Sequence, residues 1–259
     1  MGDGRRVGRP ARPRSPDLYD LGAVRPAAGS PRPRHRYPQS VQVIPLSTGA
    51  DLRALRPDSD TVVLCVNGGT GRIVPGTWSP TLEWLVGRLA PRFPDAGFVQ
   101  VRYRVKSWKR LPECIADGHA ALDWLTVPRR VIMLGFSMGG AVSVGCADDP
   151  RVHDIIGLAP WFPEELPLPD LTGDRVQIIH GSIDGWIPGV PGVRPSHSRD
   201  AINRLHGAGA EVSYRRIRGA VHGLAVRPRG RLVTLPRARA WEMAVEHALR
   251  GAGADGGQR

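Results

Sequence analysis

The sequence of 259 residues is almost without lysine: Lys106 and Lys109 are the only two, although lysine and arginine together number 36. It is also poor in cysteine, and the three that it has form no C-x-x-C pair: Cys65, Cys114 and Cys146. Because they lie in apolar stretches, we expect buried side chains and no metal site. No run approaches the roughly 20 apolar residues that a membrane-spanning helix needs, which argues against a membrane protein.

The positive charge is concentrated near the start of the chain. Residues 1–37 hold nine arginines against three aspartates, which is half of the formal net charge of +12. Proline, arginine and glycine dominate this segment without hydrophobic periodicity, so it cannot bury enough apolar surface to offset the entropy of ordering. We expect a disordered, solvated tail and no nucleic-acid partner.

An export signal is not recognisable, because the paired arginines near the start precede polar sequence broken by prolines instead of an apolar run. We therefore expect a cytoplasmic protein. The glycine-rich residues 251–259 are also expected to be disordered, as chain ends commonly are. Residues 38–250 remain as one domain, since 41% hydrophobic residues can supply a sizeable core.

Short apolar runs alternate with helical patterns along this domain. The segments TVVLCV (61–66) and RRVIMLGF (129–136) are typical of buried parallel strands, and SPTLEWLVGRLAPRF (79–93) between them has helical spacing. Such alternation predicts the α/β class, with a mostly parallel, doubly wound sheet and helices on both faces. Ligands of such sheets bind outside the carboxyl ends of the strands, so chemistry is expected just after each strand.

One of these strands ends in GFSMGG, which places Ser137 between Gly135 and Gly139. At a sharp turn from strand to helix the serine takes a strained conformation, which we expect to have a positive φ. Its neighbours two positions away must be small, because strand and helix cross closely there. The motif favours a nucleophile whose hydroxyl is exposed at the start of a helix; a plain glycine-rich turn is the alternative.

A serine nucleophile needs a base, commonly a histidine that a carboxylate orients. Asp184 follows the apolar strand RVQIIHG, and His222 follows the strand EVSYRRIRG. Ser137, Asp184 and His222 therefore come after strands on one edge of the sheet, in a chemically sensible order. His180 is closer to Asp184 in sequence, but it stands at a strand end, where we expect a structural role.

The segments GFSMGG, HGSIDGWIP and GAVHGL resemble the α/β-hydrolase superfamily over about residues 41–250. The chain is most similar to small bacterial serine hydrolases of the dienelactone-hydrolase type, although dienelactone hydrolases have cysteine where this chain has Ser137. The resemblance implies a cofactor-free and metal-free enzyme that cleaves a small ester or thioester through an acyl-serine intermediate. The connector FPEELPLPDLTGD (162–174) is too short for a large cap domain.

Acyl transfer also needs hydrogen-bond donors for a tetrahedral oxyanion. We expect these to be the backbone N–H of Met138, directly after the nucleophile, and that of Gly69, after the strand TVVLCV, with Thr70 as the alternative second donor. A glycine turn without a role in the reaction is the other interpretation of this loop. Thr70, Trp161 and Trp186 are the expected pocket residues, since they lie near strand ends. A nucleotide-binding G-x-G-x-x-G is excluded in this loop, because its third glycine is missing.

Two alternatives stay open at this point. The same triad serves peptidases and acyltransferases, because all of them share an acyl-enzyme. The fold could also be a non-catalytic binding module whose basic tail recruits nucleic acid or an acidic partner. The sequence indicates neither the natural substrate nor an oligomeric state.

Overall fold

A computed structural model describes residues 41–186 and 192–256. The expected disordered tail over residues 1–37 lies outside the described residues. The strands are β1 (Val43–Pro45), β2 (Asp51–Leu55), β3 (Thr61–Val66), β4 (Val74–Pro75), β5 (Ala96–Arg102), β6 (Val105–Lys106), β7 (Arg130–Phe136), β8 (Val152–Leu158), β9 (Arg175–Gly181), β10 (Glu211–Ile217), β11 (Ala225–Val226) and β12 (Val233–Thr234). The helices are α1 (Pro80–Leu89), α2 (Leu111–Trp124), α3 (Gly139–Gly145), α4 (Pro195–Gly207) and α5 (Ala238–Gly251).

Eight strands form one sheet in the order β1-β2-β5-β3-β7-β8-β9-β10. From β5 to β10 every neighbouring pair is parallel, whereas β2 pairs antiparallel with both β1 and β5. The predicted mostly parallel sheet is thus confirmed. Because β7, β9 and β10 lie in the same parallel half, the segments that follow them emerge at one edge.

Two apolar cores cover the two faces of the sheet. Along β3, Val62, Leu64 and Val66 belong to one core, while Val63 and Cys65 belong to the other, as the alternation of side chains in a strand requires. The first core also receives α2, α3 and α4, and the second receives α1 and α5. The sheet is therefore doubly wound, as the apolar runs predict.

Helix α1 begins as its sequence indicates. Ser79 is the N-cap and its side chain accepts a hydrogen bond from the backbone N–H of Leu82, while Pro80 occupies the first turn. This arrangement satisfies a backbone donor that has no partner inside the helix. Leu82, Leu85 and Leu89 then face the second core.

The end of the chain is better packed than its glycine content indicates. Helix α5 buries Trp241, Val245 and Leu249, spaced four residues apart, and Ala252 and Ala254 beyond it are buried as well. The expected disorder from residue 251 onward therefore does not apply to residues 251–256; residues 257–259 lie outside the described residues.

The connector between β8 and β9, residues 159–174, contains no helix, and all of it is described. It therefore carries no cap domain, as its length predicts.

Cys65, Cys114 and Cys146 are buried thiols, and burial raises the pKa of Cys114 to about 11. No helix among residues 41–186 and 192–256 combines the length and the apolar character that crossing a bilayer requires.

Candidate active site

Ser137 lies in a tight turn between β7 and α3. Its φ is 56°, the positive value expected from the sequence. Its backbone N–H donates to the carbonyl of Leu158 at 2.9 Å, and its carbonyl accepts from Gly140 and Trp161 at 2.9 and 3.0 Å. These bonds to two neighbouring segments compensate for the strained backbone at Ser137.

The glycines on either side of this turn are there because of close backbone contacts. A Cβ on Gly135 would lie 2.2 Å from the carbonyl oxygen of Gly139, and a Cβ on Gly139 would lie 2.3 Å from that of Val66. Any side chain at these positions would push α3 away from the sheet. The motif therefore has a steric reason in this fold, independent of any reaction.

Asp184 and His222 are joined directly. The Oδ2 of Asp184 lies 2.7 Å from Nδ1 of His222, although the two residues follow different strands. The segments that carry them are held together by the N–H of Ile183, which donates to Ala220, and by the N–H of Gly219, which donates to the hydroxyl of Ser182. The hydrogen bond at Nδ1 leaves Nε2 as the nitrogen of His222 that is free to exchange a proton.

The carboxylate of Asp184 is completely buried, and three nitrogen atoms lie within 3.1 Å of its oxygens. Besides His222, Nε2 of His180 lies 3.1 Å from Oδ2, and the N–H of Val193 donates to Oδ1 at 3.1 Å. Burial alone would raise the pKa of Asp184, but the hydrogen bonds from His180 and His222, together with their charges, outweigh it and hold the pKa below its usual value. Asp184 is therefore an ionised partner for His222 at neutral pH.

The loop after β3 is held by the side chain of Asn67. Its Nδ2 donates to the carbonyl of Thr77 at 2.8 Å, and its Oδ1 accepts from the N–H of Gly68 at 2.7 Å. The hydroxyl of Tyr103 donates to the backbone carbonyl of Asn67 at 2.9 Å. These bonds hold the loop beside the turn of Ser137, where a Cβ on Gly68 would lie 3.0 Å from that of Ser137.

The two N–H groups expected to bind an oxyanion have no other hydrogen-bond acceptor among the described residues. The N–H of Gly68 is taken by Asn67, whereas those of Gly69 and Met138 donate no hydrogen bond within the described part of the chain. The main chain of Gly69 also lies against Met138, since a Cβ there would be 2.4 Å from Met138 Sδ. The structure thus brings the two predicted donor residues together.

A cavity of about 940 Å³ opens at this edge of the sheet, and Ser137, Gly69, His222 and Trp161 all line it. The ring of Phe136, the residue before Ser137, lies 4.9 Å from that of His222 between ring centres. No hydrogen bond joins Ser137 Oγ to His222 in the described part of the chain. Such bonds commonly tighten only when substrate is bound.

The other two expected pocket residues lie elsewhere. Thr70 does not line the cavity; its carbonyl accepts from the N–H of Trp108. Trp186 does not line it either: its side chain is largely exposed, with the guanidinium of Arg194 5.4 Å from its ring. Of the three, only Trp161, three residues after the end of β8, lines the cavity.

Trp108 is a cavity residue that the sequence reasoning missed. It lines the cavity, its ring centre lies 6.2 Å from that of Trp161, and it touches the main chain of Gly69. The rule that sites lie after strand ends would have found it, since Trp108 follows β5 and the two-residue strand β6. The two indoles, whose planes are inclined by 35°, form an apolar wall of the cavity that Ser137 also lines.

The cavity also has a positive side. Lys106, Arg194 and Arg227 line it, and Arg227 pairs with Glu83. Burial lowers the pKa of Lys106, whose ammonium donates to the hydroxyl of Thr77 at 3.2 Å.

Among residues 41–186 and 192–256, His, Cys, Asp and Glu side chains form no group of three or more suited to a metal ion.

Comparison with known proteins rests on structure alone, since no family model and no curated protein matches the chain. A serine hydrolase without a lid from Xanthomonas campestris superposes with a TM-score of 0.58 at 18% identity, covering 84% of this chain and 97% of that one. The thermophilic esterase Est2 from Thermogutta terrifontis gives 0.59 at 18% identity, with 85% and 95% covered. Est1E from Butyrivibrio proteoclasticus, solved with ferulic acid bound, gives 0.53 at 14% identity, with 81% and 98% covered.

These identities are too low to carry an activity from one protein to another, but the structures agree over nearly the full length of each neighbour. They share the parallel sheet with helices on both faces, and the absence of a cap in the connector after β8 matches the lidless form. The chain has the α/β-hydrolase fold without a large cap domain.

Proposed function

We propose that the protein is a serine hydrolase that cleaves a small ester or thioester through an acyl-serine intermediate. Ser137 is the nucleophile, His222 the general base, and Asp184 the carboxylate that orients His222. The observation that carries the proposal is the 2.7 Å contact between Asp184 Oδ2 and His222 Nδ1 beside a cavity that Ser137 also lines. A strained serine, an oriented imidazole and a common cavity are what acyl transfer requires.

The first half of the reaction acylates the serine. His222 Nε2 takes the proton of Ser137, and Oγ attacks the acyl carbon to form a tetrahedral oxyanion. The N–H groups of Gly69 and Met138 are the donors placed for this oxyanion, because neither has another hydrogen bond among the described residues. Collapse then breaks the bond to the alcohol or thiol, which leaves with the proton from His222.

The second half releases the acid. A water molecule gives a proton to His222 and attacks the acyl carbon; the second tetrahedral species then collapses, and His222 returns the proton to Ser137 Oγ as the carboxylic acid departs. Asp184 remains ionised throughout, since its hydrogen bonds hold its pKa below the usual value. It stabilises the imidazolium that forms twice in the cycle.

The wall formed by Trp108 and Trp161 suits a flat or short acyl group. The ferulic acid bound by Est1E is an aromatic acid, which supports testing aryl esters as well as short alkyl esters. Peptidase and acyltransferase activity would use the same acyl-enzyme. Product analysis with amide substrates and with added alcohol acceptors separates these activities from hydrolysis.

A fluorophosphonate probe tests the nucleophile directly. We expect labelling of the folded protein and hydrolysis of p-nitrophenyl butyrate, both abolished in Ser137→Ala. Ser196→Ala is the matched control, since Ser196 lines the same cavity and should leave both signals unchanged. If the folded wild-type protein takes no label and cleaves no ester between about pH 6 and 9, the protein is a binding module and the proposal fails.

A further inference from the structure

His180 is a completely buried histidine whose two ring nitrogens both face oxygen atoms. Nδ1 lies 2.9 Å from the hydroxyl oxygen of Ser198. Nε2 lies 2.8 Å from the carbonyl oxygen of Val193 and 3.1 Å from Oδ2 of Asp184. The ring therefore links the end of β9 to α4, to the segment before α4, and to the carboxylate that orients His222.

The hydrogen bonds of the Ser198 hydroxyl indicate which ring nitrogens of His180 carry a proton. The hydroxyl lies 2.8 Å from the carbonyl oxygen of Pro160 and donates its single proton there. The Ser198 oxygen must then accept a hydrogen bond from His180, so Nδ1 carries a proton. Nε2 faces a carbonyl and a carboxylate, which are both acceptors, so it carries a proton as well. A neutral imidazole has only one N–H and cannot satisfy this arrangement.

We propose that His180 is a buried imidazolium that forms an ion pair with Asp184 and acts as a positioning residue for His222. Asp184 would then be shared between two imidazoles, one permanently charged and one that takes up and releases a proton during each cycle. The ion pair is compensated as buried pairs must be, because every polar atom of its two side chains that faces the interior has a hydrogen-bond partner.

The alternative arrangement is less favourable. If His180 were neutral with its proton on Nε2, the hydroxyl of Ser198 would have to donate to Nδ1. The oxygens of Ser198 and Pro160 would then face each other at 2.8 Å with no proton between them. Leaving such a buried acceptor unpaired is destabilising.

The charge on His180 has a consequence for His222. A cation beside Asp184 offsets part of the attraction between the carboxylate and a second imidazolium, so Asp184 stabilises a charged His222 less than it would without the charge on His180. Tyr214 on β10 also interacts with Asp184, and burial raises the pKa of Tyr214, so it stays neutral. His222 shares its cavity with Lys106, Arg194, Arg227 and Asp200, and these four residues are the same in the wild type and in the variant tested below.

The protonation of His180 is testable by itself. In long-range ¹H–¹⁵N spectra of the wild-type protein near pH 8, the ring signals that vanish in His180→Gln identify the residue. We expect both of its nitrogens to have the shifts of a protonated imidazolium. A bare nitrogen at either position would overturn the proposal. This measurement needs no enzymatic activity, so it is independent of the proposed function.

The effect on His222 rests on the proposed function and is read from the pH dependence of kcat/KM for p-nitrophenyl butyrate. Glutamine at position 180 can donate to Asp184 without a charge, so we expect the acidic limb of His180→Gln to lie about one unit higher in pH than that of the wild type. His153→Gln is the control for the substitution itself, since His153 is an exposed histidine that pairs with Asp174 at 3.0 Å outside the site.

The role in positioning is overturned if the acidic limb of the kcat/KM profile of folded His180→Gln lies at the same pH as that of the wild type, or at a lower pH. Because a destabilised variant could unfold in acid and move the limb in the same direction, circular dichroism must show that His180→Gln stays folded at every pH of the profile. If wild-type protein cleaves no ester, the function proposal fails, whereas the spectra still decide the charge of His180.

Discussion

Gly69 and Met138 follow different strands of the sheet, β3 and β7, yet a Cβ on Gly69 would lie only 2.4 Å from the sulfur of Met138. The main chain of the first loop therefore packs directly on the residue after the nucleophile. This contact leaves no room for a side chain on Gly69, and it packs the loop that carries one proposed oxyanion donor against the residue that carries the other.

Gly69→Ala is expected to impair acyl transfer far more than folding. The added methyl group would overlap Met138 and Trp108, whose nearest ring atom would be 2.5 Å away, so the loop must move and take its N–H out of place. Loss of one oxyanion donor lowers kcat by about 10²–10³. Steady-state kinetics with p-nitrophenyl butyrate measures the loss, and thermal unfolding checks that the fold is retained.

Gly71→Ala is the matched control for that variant. A Cβ on Gly71 would make only an ordinary contact of 3.5 Å with Trp108. Its kcat should stay close to that of the wild type. Equal losses in the two variants would mean that the loop is sensitive to any substitution and that Gly69 supplies no specific donor.

Asp184 should stabilise the fold at neutral pH and lose this effect in acid. Its pKa is held below the usual value in the folded protein, so its contribution is present above the unfolded-state value near 3.9 and disappears as the pH falls through the folded-state value. The difference in unfolding free energy between wild type and Asp184→Asn is therefore expected to shrink below about pH 4. Urea unfolding at several pH values measures it.

Asp95→Asn serves as the control for this experiment, because Asp95 is exposed. Its unfolding free energy should differ little from that of the wild type at every pH. A difference for Asp184→Asn that stays constant from neutral pH into acid would contradict the ionised, hydrogen-bonded carboxylate.

Lys106 is expected to favour substrates with an anionic acyl group. It lines the cavity, is partly buried, and has no carboxylate within ion-pair distance in the described residues. In Lys106→Met, the ratio of kcat/KM for mono-p-nitrophenyl succinate to that for p-nitrophenyl butyrate should fall about 3- to 10-fold. Lys109→Met, which changes the only other lysine, should leave the ratio unchanged; equal effects would indicate a general charge effect.

The basic segment before the domain is expected to bind polyanions without contributing to the reaction. Deleting residues 1–37 removes nine arginines, so the salt concentration needed to elute the protein from heparin should fall. The kcat/KM for p-nitrophenyl butyrate should stay within about 2-fold, because the proposed catalytic residues all lie outside this segment. Loss of ester cleavage after the deletion would assign the segment a part in the site.

The strands and helices that the sequence predicts best are those with long apolar runs. Strand β7 and helix α1 have strong patterns because β7 is buried on both faces and α1 on one. Strand β2 has no such signal: Asp51 and Arg53 interrupt it, and only Leu52 is fully buried. Its antiparallel position, second from the edge of the sheet, depends on pairing with β1 and β5, which a local pattern does not contain.

The sequence predicts the candidate catalytic residues better than it predicts the residues that line the cavity around them. Positions after strand ends identify Ser137, Asp184 and His222, because parallel strands bring their carboxyl ends to one edge. The cavity wall depends on where short connectors fold, so Trp108 was missed and Trp186 was expected in the wrong place. The network around His180 joins three separate segments, and no local spacing indicates it.

Gly139 packs on the carbonyl of Val66. The turn that carries Ser137 is therefore in direct backbone contact with the end of β3, where the loop of Gly69 begins. Neither can be displaced without moving the other, so the reacting centre should tolerate little variation. Diversification of substrate range would instead have to act through replacement of the side chains that line the cavity, such as Lys106, Trp108 and Trp161.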